Sequence, residues 1–133
     1  MSRTYADLEV WQAAMELAVR IYRLTKEYPR DELYGLTSQL RRAAVSVASN
    51  IAEGKGRSLD RELIQFLCHS RGSLFEVETQ LAIGRHLGYG TDTEYIDLST
   101  TTAKIGRMIN GLIRSVDANN TGTSRRKIAL SQP

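Results

Sequence analysis

The chain reads L-T-S-Q-L-R-R-A-A-V-S-V-A-S-N-I-A-E-G-K-G-R from residue 36 to residue 57. Apolar residues here recur at spacings of three and four, which places them on one stripe of a helix. This stripe consists of Leu33, Leu36, Leu40, Ala43, Val47 and Ile51. Small residues such as Ala44, Ser46 and Ala48 flank the stripe, so neighbouring helices can approach closely. The stretch predicts a tightly packed helical bundle and says much less about a biochemical activity.

Length, composition and charge are those of a single globular domain. The 133 residues are 41% hydrophobic and 25% charged, which is ordinary for a chain that buries one core. A net charge of +3 permits nucleic-acid binding without demanding it. The first residues lack the apolar core of a signal peptide, and no segment approaches the ~20 apolar residues of a membrane span. From these two features we expect a cytoplasmic protein with no membrane partner. The single cysteine, Cys68, cannot form an intramolecular disulfide, which agrees with a reducing compartment.

The same periodicity predicts four helices. Their expected ranges are 8–28, 32–53, 59–87 and 92–116. Pro29 must stop the first helix, while Gly54 and Gly88 can end the second and third in backbone conformations that other residues avoid. Thr91 and Glu94 form a capping box that opens the fourth helix. No alternation typical of β-strands competes with these assignments.

Short connections make successive helices return in opposite directions. The predicted fold is therefore all-α, an up-down-up-down antiparallel four-helix bundle that occupies residues 1–116. Beyond it, residues 117–133 lose periodicity and are rich in polar and turn-forming residues, so we expect a disordered polar and basic tail.

Two predicted helices carry more apolar surface than one bundle core needs. In the first helix, the stripe expected to face the core is Leu8, Trp11, Met15, Ala18 and Tyr22, and the additional stripe is Val10, Ala14, Leu17, Ile21, Leu24 and Tyr28. In the third helix, the additional stripe is Ile64, Cys68, Gly72, Phe75, Thr79 and Ala82. A leftover apolar face usually marks a subunit interface. We therefore predict a homo-oligomer that associates through Leu17, Ile21, Ile64, Cys68, Gly72 and Phe75. The alternative is that the additional stripes belong to a wide core within one chain.

Three segments together resemble a known family. The first is L-E-V-W-Q-A-A-M-E-L-A at residues 8–18. The second is Y-G-L-T-S-Q-L-R-R-A-A-V-S-V-A-S-N-I-A-E-G-K-G-R at residues 34–57, and the third is G-S-L-F-E-V-E-T-Q-L at residues 72–81. They are similar to the bacterial four-helix-bundle proteins, also called the 23S rRNA intervening-sequence protein family. This family includes the accessory variability determinant protein of diversity-generating retroelements.

This resemblance covers residues 8–116 and implies a ring-like homopentamer with a central channel. For the retroelement relatives it also implies a reverse-transcriptase partner and nucleic-acid contact through basic surfaces. For most members it implies no established activity. The chain departs from the usual pattern at Cys68, His69 and Ser70 and in its long polar tail.

A structural polar network is predicted from Arg41, Arg42, Asn50, Glu53 and Glu78. Asn50 is expected on the core stripe of the second helix, where its amide needs hydrogen-bond partners and can fix helix register. Glu53 follows one turn later and is expected to share that network. Glu78 has apolar neighbours on its own helix, so we expect an ion pair with Arg41 or Arg42 rather than a catalytic acid.

The sequence contains no convincing set of catalytic or metal-binding residues. Cys68 and His69 are adjacent in a helix and point in different directions, which is poor geometry for a nucleophile and its base. With only His69 and His86 as further ligands, a closed zinc site is incomplete, and the Glu-x-x-His motif of di-iron bundles does not occur. We therefore predict no catalytic, cofactor-binding or metal-binding residues, and a protein that is not an enzyme.

Basic residues suggest nucleic-acid contact instead. Lys104, Arg107 and Arg114 recur opposite the apolar stripe of the fourth helix. Further candidate contacts are Lys55, Arg57, Arg125, Arg126 and Lys127. The glycine-flanked loop around Lys55 could cradle a phosphate, although a structural turn explains its glycines as well. The predicted function is a non-enzymatic oligomeric scaffold that contacts RNA, DNA or a nucleic-acid enzyme. The alternative is a structural or protein-interaction module without nucleic-acid affinity.

Overall fold

The computed structural model describes the backbone of residues 4–131 and the side chains of residues 4–6 and 8–119. Over this range it contains four α-helices and no strand. The helices are α1 (Glu9–Thr25), α2 (Leu36–Lys55), α3 (Asp60–His86) and α4 (Asp92–Ser131). Single 3-10 turns precede α1 at Tyr5–Asp7 and α2 at Arg30–Glu32. The prediction of an all-α fold with four helices is confirmed.

The predicted signals explain some of the helix ends. At the start of α4, the Glu94 backbone N–H donates to Thr91 Oγ1 at 3.1 Å, and the Thr91 N–H donates to Glu94 Oε1 at 2.9 Å, as in a capping box. Gly88 and Gly90 adopt φ of 86° and 73°, which favours glycine in the turn between α3 and α4. The second helix begins later than expected, because residues 30–32 form their own turn. Glu32 Oε1 there accepts the Leu36 N–H at 3.3 Å.

Each helix packs on two others within the described residues: α1 contacts α2 and α4, and α3 contacts the same two helices. The core lies between them. On α2 it contains Leu36, Leu40, Ala43, Ala44, Val47, Ala48 and Ile51; on α3 it contains Leu67, Leu74, Val77 and Leu81; on α4 it contains Leu98, Ile105 and Ile109. The expected inward stripe of α2 is therefore largely correct. Leu33, which precedes α2 at the start of this stripe, is exposed.

The inward stripe of α1 was predicted wrongly. Leu17 and Ile21, which the sequence analysis assigns to a subunit interface, are fully buried within the chain. Met15 and Tyr22, which it assigns to the core, are each 42% exposed. The two stripes are adjacent on one helix and both apolar, so only the positions of α2 and α4 decide which one is covered. Since a side chain with no exposed surface has nothing to offer a second copy, Leu17 and Ile21 are not interface residues.

Polar contacts hold the neighbouring helices together. Between α2 and α3, Ser70 Oγ donates to the Val47 carbonyl at 2.7 Å, and the Ser46 and Ser73 hydroxyls lie 2.8 Å apart. Arg71 Nη1 on α3 donates to Asn110 Oδ1 on α4 at 2.9 Å. These bonds satisfy hydroxyl and guanidinium groups at the edge of the core that would be costly to leave unpaired.

The fourth helix continues past Val116, where the apolar periodicity ends. No proline interrupts residues 92–131, so the backbone hydrogen bonds of the helix can continue through this segment. Helical backbone thus occupies most of the segment that the sequence predicts to be disordered. Side chains from residue 120 onward lie outside the described residues, so the division of the chain at residue 116 stays a prediction.

An aromatic cluster joins the connections at one end of the bundle. The Tyr28 ring is buried and lies 5.2 Å from the Tyr89 ring, centroid to centroid. The Tyr89 hydroxyl donates to Glu32 Oε2 at 3.0 Å. Tyr28 also lies against Gly84, where an added Cβ would be 2.5 Å from its hydroxyl oxygen. The cluster therefore depends on a glycine in the last turns of α3.

Replacing Gly84 with alanine should destabilise the fold. The Tyr28 side chain is enclosed and cannot easily move away, so the Gly84→Ala substitution should lower the free energy of unfolding by about 1–3 kcal/mol in urea titrations. Adding Tyr28→Phe should restore part of that loss, because the nearest remaining atom would be Tyr28 Cζ at 3.2 Å. Gly111→Ala is the matched control: its Cβ would meet only Arg114 Nη2 at 3.9 Å, and it should stabilise by up to ~1 kcal/mol. Equal effects of the two alanines would contradict this account.

Alkaline pH should weaken the fold through Tyr28. Burial, with smaller effects of Glu94 and Tyr89, raises the pKa of the Tyr28 phenol above its ordinary value. The folded state thus favours the neutral phenol. The resulting stability is complete below the unfolded-state pKa, near pH ~10, and is lost as pH rises through the folded-state value. Urea titrations at rising alkaline pH should show a smaller decline in Tyr28→Phe than in the parent, whereas parallel curves would refute the assignment.

Candidate nucleic-acid interface

The outer face of α4 carries a positive stripe. Lys104, Arg107 and Arg114 are exposed, while Ile105 and Ile109 on the other side of the helix are fully buried. The helix has no acidic residue from position 98 to position 116. None of the three cations takes part in an ion pair with a described residue. Lys104 and Arg107 therefore have no acidic neighbour within one turn of their own helix, whereas Arg114 lies three residues before Asp117, and all three cations are open to solvent.

The predicted contacts in the tail cannot be placed on this surface. The side chains of Arg125, Arg126 and Lys127 lie outside the described residues. Only the helical backbone of α4 is described there, up to Ser131.

The loop after α2 is a poor phosphate cradle. The Gly56 N–H donates to the carbonyls of Ala52 and Glu53, and the Arg57 N–H donates to that of Gly54. These bonds end the helix and occupy the amides that a phosphate would need. The carboxyl end of α2 also points its negative dipole toward the loop. Lys55 is exposed and remains a candidate contact.

Arg57 is largely engaged within the protein. Its guanidinium lies 3.3 Å from Glu53 Oε2 and 3.9 Å from Glu62 Oε2, and it also lies over the Phe66 ring at 4.8 Å from the centroid. Two carboxylates balance its charge, so Arg57 contributes less to a positive surface than the three residues of α4.

The predicted polar network is only partly formed. Asn50 is half-buried beside the core stripe rather than on it, and its Nδ2 donates to the Ser46 carbonyl and to Ser46 Oγ, both at 2.9 Å. Through the Ser46 to Ser73 contact, Asn50 supports the packing of α2 on α3. Glu53 does not join this group, since its carboxylate turns toward Arg57.

The predicted ion pair of Glu78 with Arg41 or Arg42 is wrong. Arg41 Nε donates to Thr25 Oγ1 at 2.8 Å, so this guanidinium faces α1. Arg42 is exposed beside a groove that also contains Glu76. Glu78 lies two turns after Arg71, a residue that contacts α4, and therefore faces away from α2. It forms no ion pair with any residue that the structure describes.

The described residues also provide little for catalysis. Arg71 Nη2 lies 3.8 Å from the half-buried Cys68 sulfur, while His69 is exposed beside the Phe66 ring. Within the described range, no group of three or more His, Cys, Asp and Glu side chains is arranged to hold a metal ion. Nor is any helix in that range both long and apolar enough to cross a membrane.

Sequence reasoning missed an apolar groove between α1 and α2. Met15, Val19 and Tyr22 on α1 and Val45 on α2 are each 42–44% exposed, and they line a groove of about 430 Å³. Val19 and Val45 could have revealed this groove from the sequence, because both are apolar residues outside the core stripes of their helices.

Comparison with known proteins supports the resemblance noted in the sequence. A sequence model for the 23S rRNA-intervening sequence protein matches residues 6–111. The chain belongs to this family. The family match includes α1 to α3 and the basic residues Lys104 and Arg107, but it ends before Arg114.

A solved structure from Bacteroides thetaiotaomicron, described as a protein with unknown function from the S23 ribosomal protein family, has a similar fold. Its TM-score is 0.74 at 23% sequence identity, and the alignment covers 79% of this chain and 95% of that chain. This similarity supports the fold of the chain and does not indicate an activity. No curated protein matches the chain.

Proposed function

We propose that this protein is a non-enzymatic, oligomeric helical scaffold of the cytoplasm that contacts RNA or DNA through the outer face of α4. The observation that carries the proposal is the exposure of Lys104, Arg107 and Arg114 on a helix that has no acidic residue between positions 98 and 116. Lys55, Arg57 and the tail residues Arg125, Arg126 and Lys127 are further proposed contacts. An enzyme that acts on nucleic acid, such as a reverse transcriptase, is a possible partner of the same scaffold.

Electrostatics explain why assembly matters to this function. Three exposed cations on one subunit attract a phosphate backbone only modestly, since each acts in high dielectric and is screened by salt. Repetition of the stripe in a symmetric oligomer adds further contacts, and each phosphate contact releases counterions. Binding should therefore be strong at low salt and weaken steeply as salt increases.

Charge reversal on α4 should abolish most of this binding. In fluorescence anisotropy with mixed-sequence RNA and DNA, Lys104→Glu combined with Arg107→Glu should weaken low-salt binding by about tenfold or more and flatten the salt dependence, because two phosphate contacts per subunit are lost. Lys26→Glu combined with Arg30→Glu is the matched control. It makes the same change in net charge at the connection between α1 and α2, so it should cost much less.

If the intact protein binds neither nucleic acid at low salt, or if both double variants bind alike, the nucleic-acid part of the proposal fails. The family member would then be a structural or protein-interaction module, which is the second candidate function. The pentamer implied by the family resemblance would remain open to a separate test.

The direction of the helices is part of this proposal. We infer an antiparallel up-down arrangement, which is supported by pairs of contacts at opposite ends of neighbouring helices. Gly54 near the end of α2 lies against Phe66 early in α3, while Gln39 and Gln80 make a side-chain contact of 3.5 Å at the other end. These contacts support opposite directions for α2 and α3.

Self-association is supported by the outer face of α3. Phe75 is 55% exposed, and Ile64 and Cys68 on the same face are half-buried. Gly72 lies between them, and nothing is within 4 Å of the position that its Cβ would take. Its φ is not in the left-handed region, so the backbone does not require glycine. A mid-helix glycine costs about 1 kcal/mol relative to alanine. Close approach of a second copy would explain why that cost is tolerated.

Gly72→Ala should therefore have opposite effects on the subunit and on the oligomer. The subunit should gain up to ~1 kcal/mol in urea unfolding from better helix propensity, while overpacking at the contact should raise the dissociation constant about tenfold. Light scattering over a dilution series measures the second effect. Gly111→Ala on α4 is the control that alters propensity alone. A parent protein that stays monomeric when concentrated, or an oligomer that Gly72→Ala leaves unchanged, would exclude this interface.

A further inference from the structure

The groove between α1 and α2 is a preformed apolar surface that the proposed scaffold function does not use. Ala18 and Ala48, both buried, form its floor, and Met15, Val19 and Val45 form its walls. Isolated exposed apolar residues need no explanation, but a contiguous concave set of them usually marks a binding site.

Tyr22 forms the remaining wall of the groove, and a cation lies over its ring. The Arg41 guanidinium lies 4.7 Å from the centroid of the Tyr22 ring, and Arg41 is itself anchored on Thr25 at 2.8 Å. Because this contact orients the Tyr22 side chain before a ligand arrives, binding would cost the protein little conformational entropy.

The chemistry of the groove selects a helix as its occupant. An extended peptide would need partners for its backbone N–H and C=O groups, whereas the floor and walls offer mostly hydrocarbon. A helix satisfies its own backbone and presents apolar side chains every three or four residues. From Met15 to Lys26 the groove follows α1 for about 16 Å, or three helical turns, which suits three successive anchors.

The charge around the groove selects the sign of that helix. Arg23 and Lys26 line one end, and none of the described lining residues is acidic. We propose that this groove docks one amphipathic helix of a partner protein, with acidic residues beside its apolar anchors. The proposal adds a protein-binding surface on α1 and α2 and does not depend on nucleic-acid contact by α4.

Two synthetic helical peptides test this proposal with the full chain. Both carry leucines at i, i+4 and i+7 over about 15 residues, and one has glutamates where the other has lysines. In fluorescence anisotropy the glutamate peptide should bind about tenfold more tightly, since two ion pairs with Arg23 and Lys26 are gained. Arg23→Glu combined with Lys26→Glu should reverse the preference, which a merely sticky apolar surface would not do.

A substitution inside the groove separates docking from other effects. Val19→Glu should weaken binding of the glutamate peptide at least tenfold, and it should fold because Val19 is already 44% exposed. Ile96→Glu on α4 makes the same kind of change at a residue that is 60% exposed, and it should leave binding unchanged. Circular dichroism confirms that both variants are folded.

Three results would overturn the proposal: no binding of either peptide, equal binding of both peptides by the parent and the charge-reversed variant, or dissociation of an oligomer by Val19→Glu in light scattering. The last result would assign the groove to a second copy of the chain. Because Arg23, Lys26 and Val19 lie on α1 and not on the basic face of α4, failure of these groove variants leaves the nucleic-acid test untouched.

Discussion

The hydroxyl contacts between α2 and α3 set the spacing on which the rest of the bundle depends. Ser70 Oγ can donate to the Val47 carbonyl at 2.7 Å only when the two helix axes are close, and the same holds for the Ser46 and Ser73 hydroxyls at 2.8 Å. Larger side chains at these positions would separate the helices and open the core. With α2 and α3 held together, α1 and α4 have one shared apolar surface to cover.

Covering that surface leaves different chemistry on the outside of each helix. The face of α4 is basic, the outer face of α3 combines Gly72 with Phe75, and the edge of α1 and α2 is an apolar groove. These surfaces lie on different sides of a rigid core rather than in one cleft. Such an arrangement fits the proposed scaffold, in which each surface would contact a different macromolecule.

The errors in the polar and interface predictions have a common cause. Periodicity gives the angle of a residue around its own helix, but it does not say which neighbour stands at that angle. Glu78 was expected to pair with Arg41 or Arg42 because its neighbours on its own helix are apolar. Glu78 instead lies two turns after Arg71, which contacts α4, and Arg41 bonds to α1. Asn50 was expected to be hydrogen-bonded because a buried amide needs partners wherever its neighbours lie, and its Nδ2 donates to the Ser46 carbonyl.

Residue spacing within short segments was enough to identify the helical class, the capping box at Thr91 and the core stripe of α2, while the family came from the resemblance of three longer segments. The choice between the two apolar stripes of α1 required the assembled bundle. Leu17 and Met15 are both apolar, and their exposure differs because α2 and α4 enclose one side of α1 and leave the other open. Burial is a property of a residue and all of its neighbours, so no pattern within one helix could decide it.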